Sequence, residues 1–314
     1  MGQKKKGITL VLIATFFWGI MGISSRILYE AGLSTMSIAF CRSFLSSICF
    51  LIWILITDIS ILKIDLRGLA ISALYGIGTF SLCFIGYNLS VEYIPISIAT
   101  VLMFTNSIWV TIFAIFFFGE KFNKKKVIVI LLTLLGCIMV SNLSLGHESL
   151  SLIGILAGLG TGFLFAFQII FPKFFSDYRK DTLLIYGYIF ASLFIALFTD
   201  FKESINLVMD SPNIKIVILN ILSIGILSTF ISNTLYIKST EYIEASVTSI
   251  LASMEPVLSS IFAFLVFKEL LNTKQIMGAI LIILAAIILE VNLNKDALRN
   301  LLSMDFIKSK LISQ

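Results

Sequence analysis

The sequence predicts an all-α membrane protein of about ten transmembrane helices, arranged as two inverted five-helix repeats. Three observations predict it. Of 314 residues, 58% are hydrophobic and only 13% charged, and the mean hydropathy is +1.03, well above the range of soluble globular chains. Apolar runs of about 20 residues, each long enough to cross roughly 30 Å of hydrocarbon as a helix, recur between short polar breaks. A segment of the second half also repeats one of the first at a constant spacing. Helices are expected because lipid-facing backbone must satisfy its own hydrogen bonds, and "VIVILLTLLGCIMV" (127–140) lacks the alternation of a membrane barrel strand.

Taken in order, the apolar runs cover residues 8–27, 35–57, 68–87, 94–118, 127–143, 152–171, 182–199, 214–237, 244–267 and 274–292. The first, after Lys4 to Lys6, has the look of a leader peptide. Its repeat partner lies mid-chain, so it is expected to be a structural span. Lysine and arginine alternate between ends. Lys4 to Lys6, Lys63, Arg67, Lys121, Lys124 to Lys126, Lys173, Arg179, Lys180, Lys295, Arg299, Lys308 and Lys310 fall on one side, against Lys202, Lys215, Lys268 and Lys274 on the other. That bias places both termini in the cytoplasm. The net charge of +5 therefore reports topology, and no nucleic-acid partner is expected. The organisation is a first repeat over 1–145, a second over 146–293, and a tail over 294–314. In the tail Leu298, Leu301, Leu302 and Phe306 recur at helical spacing, so it either lies along the membrane surface or frays.

The repeat is carried by "YNLSVEYIPISIATVLMF" from Tyr87 and "YIKSTEYIEASVTSILAS" from Tyr236, where Glu241-Tyr242-Ile243 follows Glu92-Tyr93-Ile94 by 149 residues. The same offset takes Glu120 to Glu269, Asn123 to Asn272 and Lys125 to Lys274, and, near Gly7 and Gly154, an offset of 147 takes Arg26 to Lys173. An odd number of spans per half forces the second half into the membrane from the opposite side. Inverted repeats around a midplane site are the construction of many secondary transporters.

Glu255 sits near the middle of its run, where an ionised carboxylate costs about 2.5–3.5 kcal/mol. It must stay protonated, pair with a cation or line a wet cavity; the bland alternative is one interhelical hydrogen bond. Its repeat mate is Asn106, so both halves place a polar group at one depth. Pro256 is expected to kink the helix there. Arg42 is the obvious partner for Glu255 or an anionic substrate, unless it snorkels to an interface. Gln168, Asn233 and Asn106 either hydrogen-bond substrate or bridge helices. Trp18 and Trp109 either line the cavity or pack. Gly154, Gly158 and Gly162, four apart, read as a packing face. Glu92 and Glu241 are expected to open their helices as dipole-favoured residues, and Glu120 and Glu269 to form loop ion pairs beside Lys121 and Lys268.

Cys41, Cys49, Cys83 and Cys137 lie in apolar runs and read as small hydrophobes. His147 is the sole histidine. No nucleotide loop, metal-ligand cluster or nucleophile elbow occurs in the sequence, so neither a cofactor, a metal nor an enzymatic activity is expected.

The "FWG" at Phe17 to Gly19 followed by Arg26, Arg42, the "FFFGEKF" at Phe116 to Phe122, and "MEPVLSSIFAFLVFKELLNTKQIMGAILII" from Met254 resemble the EamA family of the drug/metabolite transporter superfamily. The resemblance covers nearly all the apolar region. It implies ten helices in two inverted repeats, a central cavity, and export of small metabolites or amino acids across a bacterial cytoplasmic membrane. Two positions depart from the family pattern: Asn106-Ser107 stands where a proline-containing turn is usual, and Lys268 replaces a glycine. The expected function is secondary transport by alternating access. The expected partners are a small-molecule substrate held by Asn106, Glu255, Arg42, Gln168, Asn233 and Trp18, membrane lipid, and protons coupled through Glu255. A membrane scaffold or sensor, with the repeat serving only packing, is the alternative.

Overall fold

The computed structural model describes residues 2–94, 96–141, 151–268 and 270–290. The expected boundary between repeats at 145, His147, Glu269 and the tail over 294–314 lie outside them.

The described residues are helical, with no strand among them. The helices are α1 (Gln3–Glu30), α2 (Thr35–Thr57), α3 (Leu66–Tyr93), α4 (in two pieces, Ile96–Met103 and Asn106–Phe118), α5 (Lys124–Val140), α6 (Leu152–Phe174), α7 (Lys180–Ala196), α8 (Phe201–Met209), α9 (Ile214–Ser239), α10 (again in two pieces, Ala245–Ala252 and Glu255–Phe267) and α11 (Thr273–Glu290). Seven of them are long and apolar enough to cross a membrane, or eight when α7 and α8, which meet at 94°, count as one bent span. α5, of 17 residues, and α11, of 18, are shorter.

Local chemistry sets where the helices begin. The side chains of Ser34, Asp65, Asn123 and Asp200 accept from the backbone N–H groups of Ser37, Gly68, Lys125 and Glu203, satisfying donors that a first helical turn leaves free. Asn272 and Gln275 exchange two such bonds at 2.9 Å each, a reciprocal box at the start of α11. Glu92 and Glu241 do not act this way. Glu92 sits in the last turn of α3, and Glu241 in the turn after α9. A glutamate ahead of an apolar run marks a helix start only if the loop is longer than these.

The repeat is visible in the backbone at the same 149-residue offset. The two pieces of α4 begin and end where those of α10 do, and the caps Asn123 and Asn272 correspond. Each pair of pieces closes in the left-handed region, at Gly119 (φ 65) and at Lys268 (φ 58), where the lysine carries the strain that the glycine avoids. The third span of each half also contains a π-helical segment, Gly76–Ser81 in α3 and Ser223–Ile231 in α9. The break in α4 forms without a proline, so Pro256 does not cause the break in α10. It occupies the first turn of Glu255–Phe267, where its missing N–H costs no helical bond.

Glycines let the halves approach. A methyl group on Gly154 would fall 2.7 Å from Ile94, one on Gly158 2.7 Å from Leu102, and one on Gly162 2.6 Å from the Thr105 hydroxyl, so the expected glycine face of α6 lies directly on α3 and α4. Ser90 seals the contact by donating to the Gly154 carbonyl at 2.9 Å. At the crossing of α3 and α7 a methyl on Gly76 would sit 2.0 Å from the Gly187 carbonyl oxygen, which neither backbone can relieve by a rotamer change. Gly76→Ala should therefore cost at least about 1–3 kcal/mol, read as a lowered Tm of the detergent-solubilised protein, whereas Gly78→Ala, with nothing within 4 Å, should leave it unchanged.

Candidate substrate cavity

A cavity of about 650 Å³ lies inside the bundle, lined from α1 to α7 and by α9 and α10. It runs from Trp18, Gln168, Asn233 and Glu255, in the middles of their helices, to Tyr29, Glu30, Asn88 and Ser141, at helix ends on the face opposite the lysine-rich one. Both members of two repeat-mate pairs line it: Phe80 and Thr229, Phe84 and Asn233. The cavity thus lies where equivalent surfaces of the two halves face each other.

Its walls combine aromatic and aliphatic side chains with about as many polar ones, Arg26, Glu30, Arg42 and Glu255 among them, a composition suited to small amphipathic ligands. Arg42 projects from α2, its Nε donating to Thr229 Oγ1 at 3.1 Å and its guanidinium lying 4.6 Å from the centre of the Phe84 ring. Gln168 Nε2 donates to the Thr79 carbonyl at 3.2 Å. Asn233 Nδ2 donates to the Tyr188 hydroxyl at 2.6 Å. Glu255 opens the second piece of α10 and shares the cavity with Arg42; no ion pair joins them, and the carboxylate has no hydrogen-bond partner among the described residues. Trp18 is buried and meets Tyr236 edge-on at 4.9 Å.

Two aromatic or polar residues singled out in the sequence lie elsewhere. Asn106 is buried, does not line the cavity, and leaves its Oδ1 without a partner. The offset places it at the same helical break as Glu255, but α6 crosses α4 closely there, with Gly162 against Thr105, and covers the position. Trp109 packs edge-on against Phe163 at 5.3 Å, away from the cavity. Conversely Tyr188, Thr229 and Phe84 line it; the sequence signal for the last two is that they are repeat mates of other lining positions.

On the lysine-rich side of Trp18 the bundle is filled. Phe80 stacks on Tyr188 at 4.5 Å and Tyr75 on Phe171 at 4.9 Å. Beyond them lies a buried charge network between the repeats. The Glu120 carboxylate accepts from the Ala245 N–H at 2.9 Å, from the Ser246 hydroxyl, and from Lys126 Nζ at 3.1 Å, with Lys173 Nζ 3.8 Å away. Lys126 Nζ also donates to Ser246 Oγ at 2.8 Å and pairs with Glu244. Glu120 was expected to pair in its loop with Lys121. Its partners come instead from α5, α6 and the start of α10. A second brace joins the α2–α3 and α6–α7 connections, where Arg179 Nη1 donates to Asp58 at 2.7 Å and Ser60 N–H donates to the same carboxylate at 3.0 Å.

Residues 5–142 and again 152–291 match the family described as the EamA-like transporter family. The chain belongs to that family. Among its relatives are an uncharacterized transporter of Clostridium kluyveri, 24% identical over 294 residues that cover 90% of this chain and 93% of the relative, and the uncharacterized inner membrane transporter YicL of Salmonella typhimurium, 24% identical with 95% and 99% covered. An uncharacterized transporter of Archaeoglobus fulgidus is 27% identical over 66% of this chain and 65% of its own. A crystal structure with a TM-score of 0.76, 14% identical and covering 91% of this chain and 97% of that one, shares the fold. This EamA-like chain is accordingly a multi-pass membrane transporter built from two family repeats, and the cavity is its candidate substrate site.

Glu120 and Lys126 are 7% and 9% exposed at their side chains, so removing one partner strands the other charge. Glu120→Ala should cost about 3–5 kcal/mol, measured by thermal unfolding in detergent, and Glu120→Ala with Lys126→Met should recover part of it. The exposed Asp58 follows a different rule. Ser60 and Arg179 hold its carboxyl down at about 2 from an ordinary 3.8. A depressed value means the contact's contribution is present above the unfolded pKa and is lost as pH falls towards about 2. Arg179→Ala should move the Asp58 midpoint upward, read from its ¹³C carboxyl shift.

Proposed function

We propose that this transporter is a secondary transporter that exports small metabolites or amino acids across a bacterial cytoplasmic membrane by alternating access. The observation that carries the reading is a central cavity reaching one face while the other is fastened by Glu120, Lys126, Glu244 and Ser246. Such an arrangement is an outward-facing state if the lysine-rich face is cytoplasmic, as the positive-inside rule makes it. On this reading α5, α7 and α11 count as spans, giving ten, with both termini cytoplasmic. The repeats are inverted, over 1–145 and 146–293, and 294–314 forms the cytoplasmic tail.

Arg42, Glu255, Gln168 and Asn233 hold the substrate's polar groups, and Trp18 with Phe84 and Phe165 receive its apolar body. A molecule carrying both charges would meet the cation and the carboxylate at once, which the absence of a direct Arg42–Glu255 pair leaves open. Asn106, covered by α6, acts here through the break it shares with Glu255. Export requires the charge network to part while the outer ends of the helices close, a rocking of one repeat against the other. Glu255 is the proposed proton-coupling group, because a carboxylate facing the cavity can exchange its proton with whichever side is open.

Proteoliposomes holding the full chain, given a panel of labelled amino acids and small metabolites with and without a pH gradient, test the proposal. Gradient-driven accumulation of one class is the expected result. Glu255→Gln should abolish the accumulation and leave equilibration across the membrane; the same accumulation in the variant would remove Glu255 from coupling, and no flux of any probe would remove the transport reading.

A further inference from the structure

The π segment of α9 and the arginine of α2 form one device. The Thr229 hydroxyl has one proton and two lone pairs. Its proton goes to the Ile224 carbonyl, five residues back, at 2.7 Å, and a lone pair is left for Arg42 Nε at 3.1 Å. In a regular helix a threonine hydroxyl bonds three or four residues back. The five-residue reach belongs to the π-helical stretch Ser223–Ile231, and Ser232 repeats it on the Leu227 carbonyl at 2.9 Å.

The helix that carries Arg42 is clamped to this stretch. A methyl on Gly225 would fall 2.5 Å from Leu45 Cβ, and Ser46 Oγ donates to the Gly225 carbonyl at 3.0 Å. Leu45 and Ser46 follow Arg42 by three and four residues, so they share its face of α2. The guanidinium is then held on three sides: Thr229 at Nε, the Phe84 ring 4.6 Å from Cζ, and the α2–α9 contact at its root. Neither Nη has a hydrogen-bond partner among the described residues. Architecture does not require this. At the 149-residue offset Phe80 stands where the second half has Thr229, and the first half has a π segment of its own without such a pair.

We propose that Thr229 is a positioning residue that fixes Arg42 end-on, so that its two Nη groups receive a carboxylate of the substrate side by side. With Nε taken, the alternative side-on fork is closed, and a planar two-oxygen anion fits the remaining edge better than a point charge. The proposal deepens the transport reading above and rests on it.

The test uses full-chain proteoliposomes, labelled α-amino acids as probes, and the matched amines that lack the carboxylate. Thr229→Val keeps the shape and removes the acceptor; Thr229→Ser keeps the acceptor. Thr229→Val should raise the KM of a transported amino acid about tenfold with little change in Vmax, and shrink the preference over the matched amine, while Thr229→Ser stays near the parent. Arg42→Lys, which retains charge without the fork, should reproduce the KM change even if Thr229→Val does not fold. An unchanged KM in both Thr229→Val and Arg42→Lys, equal losses in the valine and serine variants, or a parent that prefers the amines overturns the positioning role. Absence of flux in the parent overturns the transport reading with it.

Discussion

Hydrocarbon offers no hydrogen-bond partner, and every polar group in a lipid-immersed bundle must be answered from within. Most hydroxyls here are answered locally: Thr15, Thr111, Thr133, Thr161 and Thr234 each donate to a carbonyl four residues back. Arg42, Gln168, Asn233 and Glu255 reach too far, or carry too much charge, to be answered that way. They gather at one cavity instead, and the helices that bear them are arranged around that need.

Backbone and side chains obey the repeat differently. The breaks in α4 and α10, their left-handed ends and the caps that follow coincide at one offset, so the shape is shared. The chemistry is not. Across the cavity Phe80 stands where the second half has Thr229, and Phe84 where it has Asn233. Duplicated geometry gives the two halves a common backbone frame, and unequal side chains make the walls of the space between them chemically different.

Much of this was legible in the sequence because it rests on period and spacing. The apolar runs gave the seven helices long enough to cross a membrane, or eight with α7 and α8 taken together, the Glu92/Glu241 register gave the repeat, and the scarcity of polar groups inside spans picked out Arg42, Gln168, Asn233 and Glu255, all of which line the cavity. What was hidden depends on contacts between distant residues. Asn106 shares its register with Glu255 but is covered by α6. Trp109 turns to Phe163. Glu120 looked like a loop residue because its partners lie in α5, α6 and at the start of α10, up to 126 residues away. The π segments left no mark, since nothing in "SIGILSTFI" or "GIGTFS" distinguishes a five-residue hydrogen-bond step from a four-residue one.

The charge network has a consequence that follows from symmetry alone. Two identical halves, inverted in a symmetric membrane, would make the conformations open to either side equal in energy, and neither would be the resting state. Any preference must come from positions where the halves differ. Lys126 is such a position: its mate is Gln275, which donates to the Val140 carbonyl at 3.3 Å through an amide. Among the described residues, buried ions gather around Lys126 while its mate makes only a neutral bond, so any rocking of one half against the other would start from unequal ends.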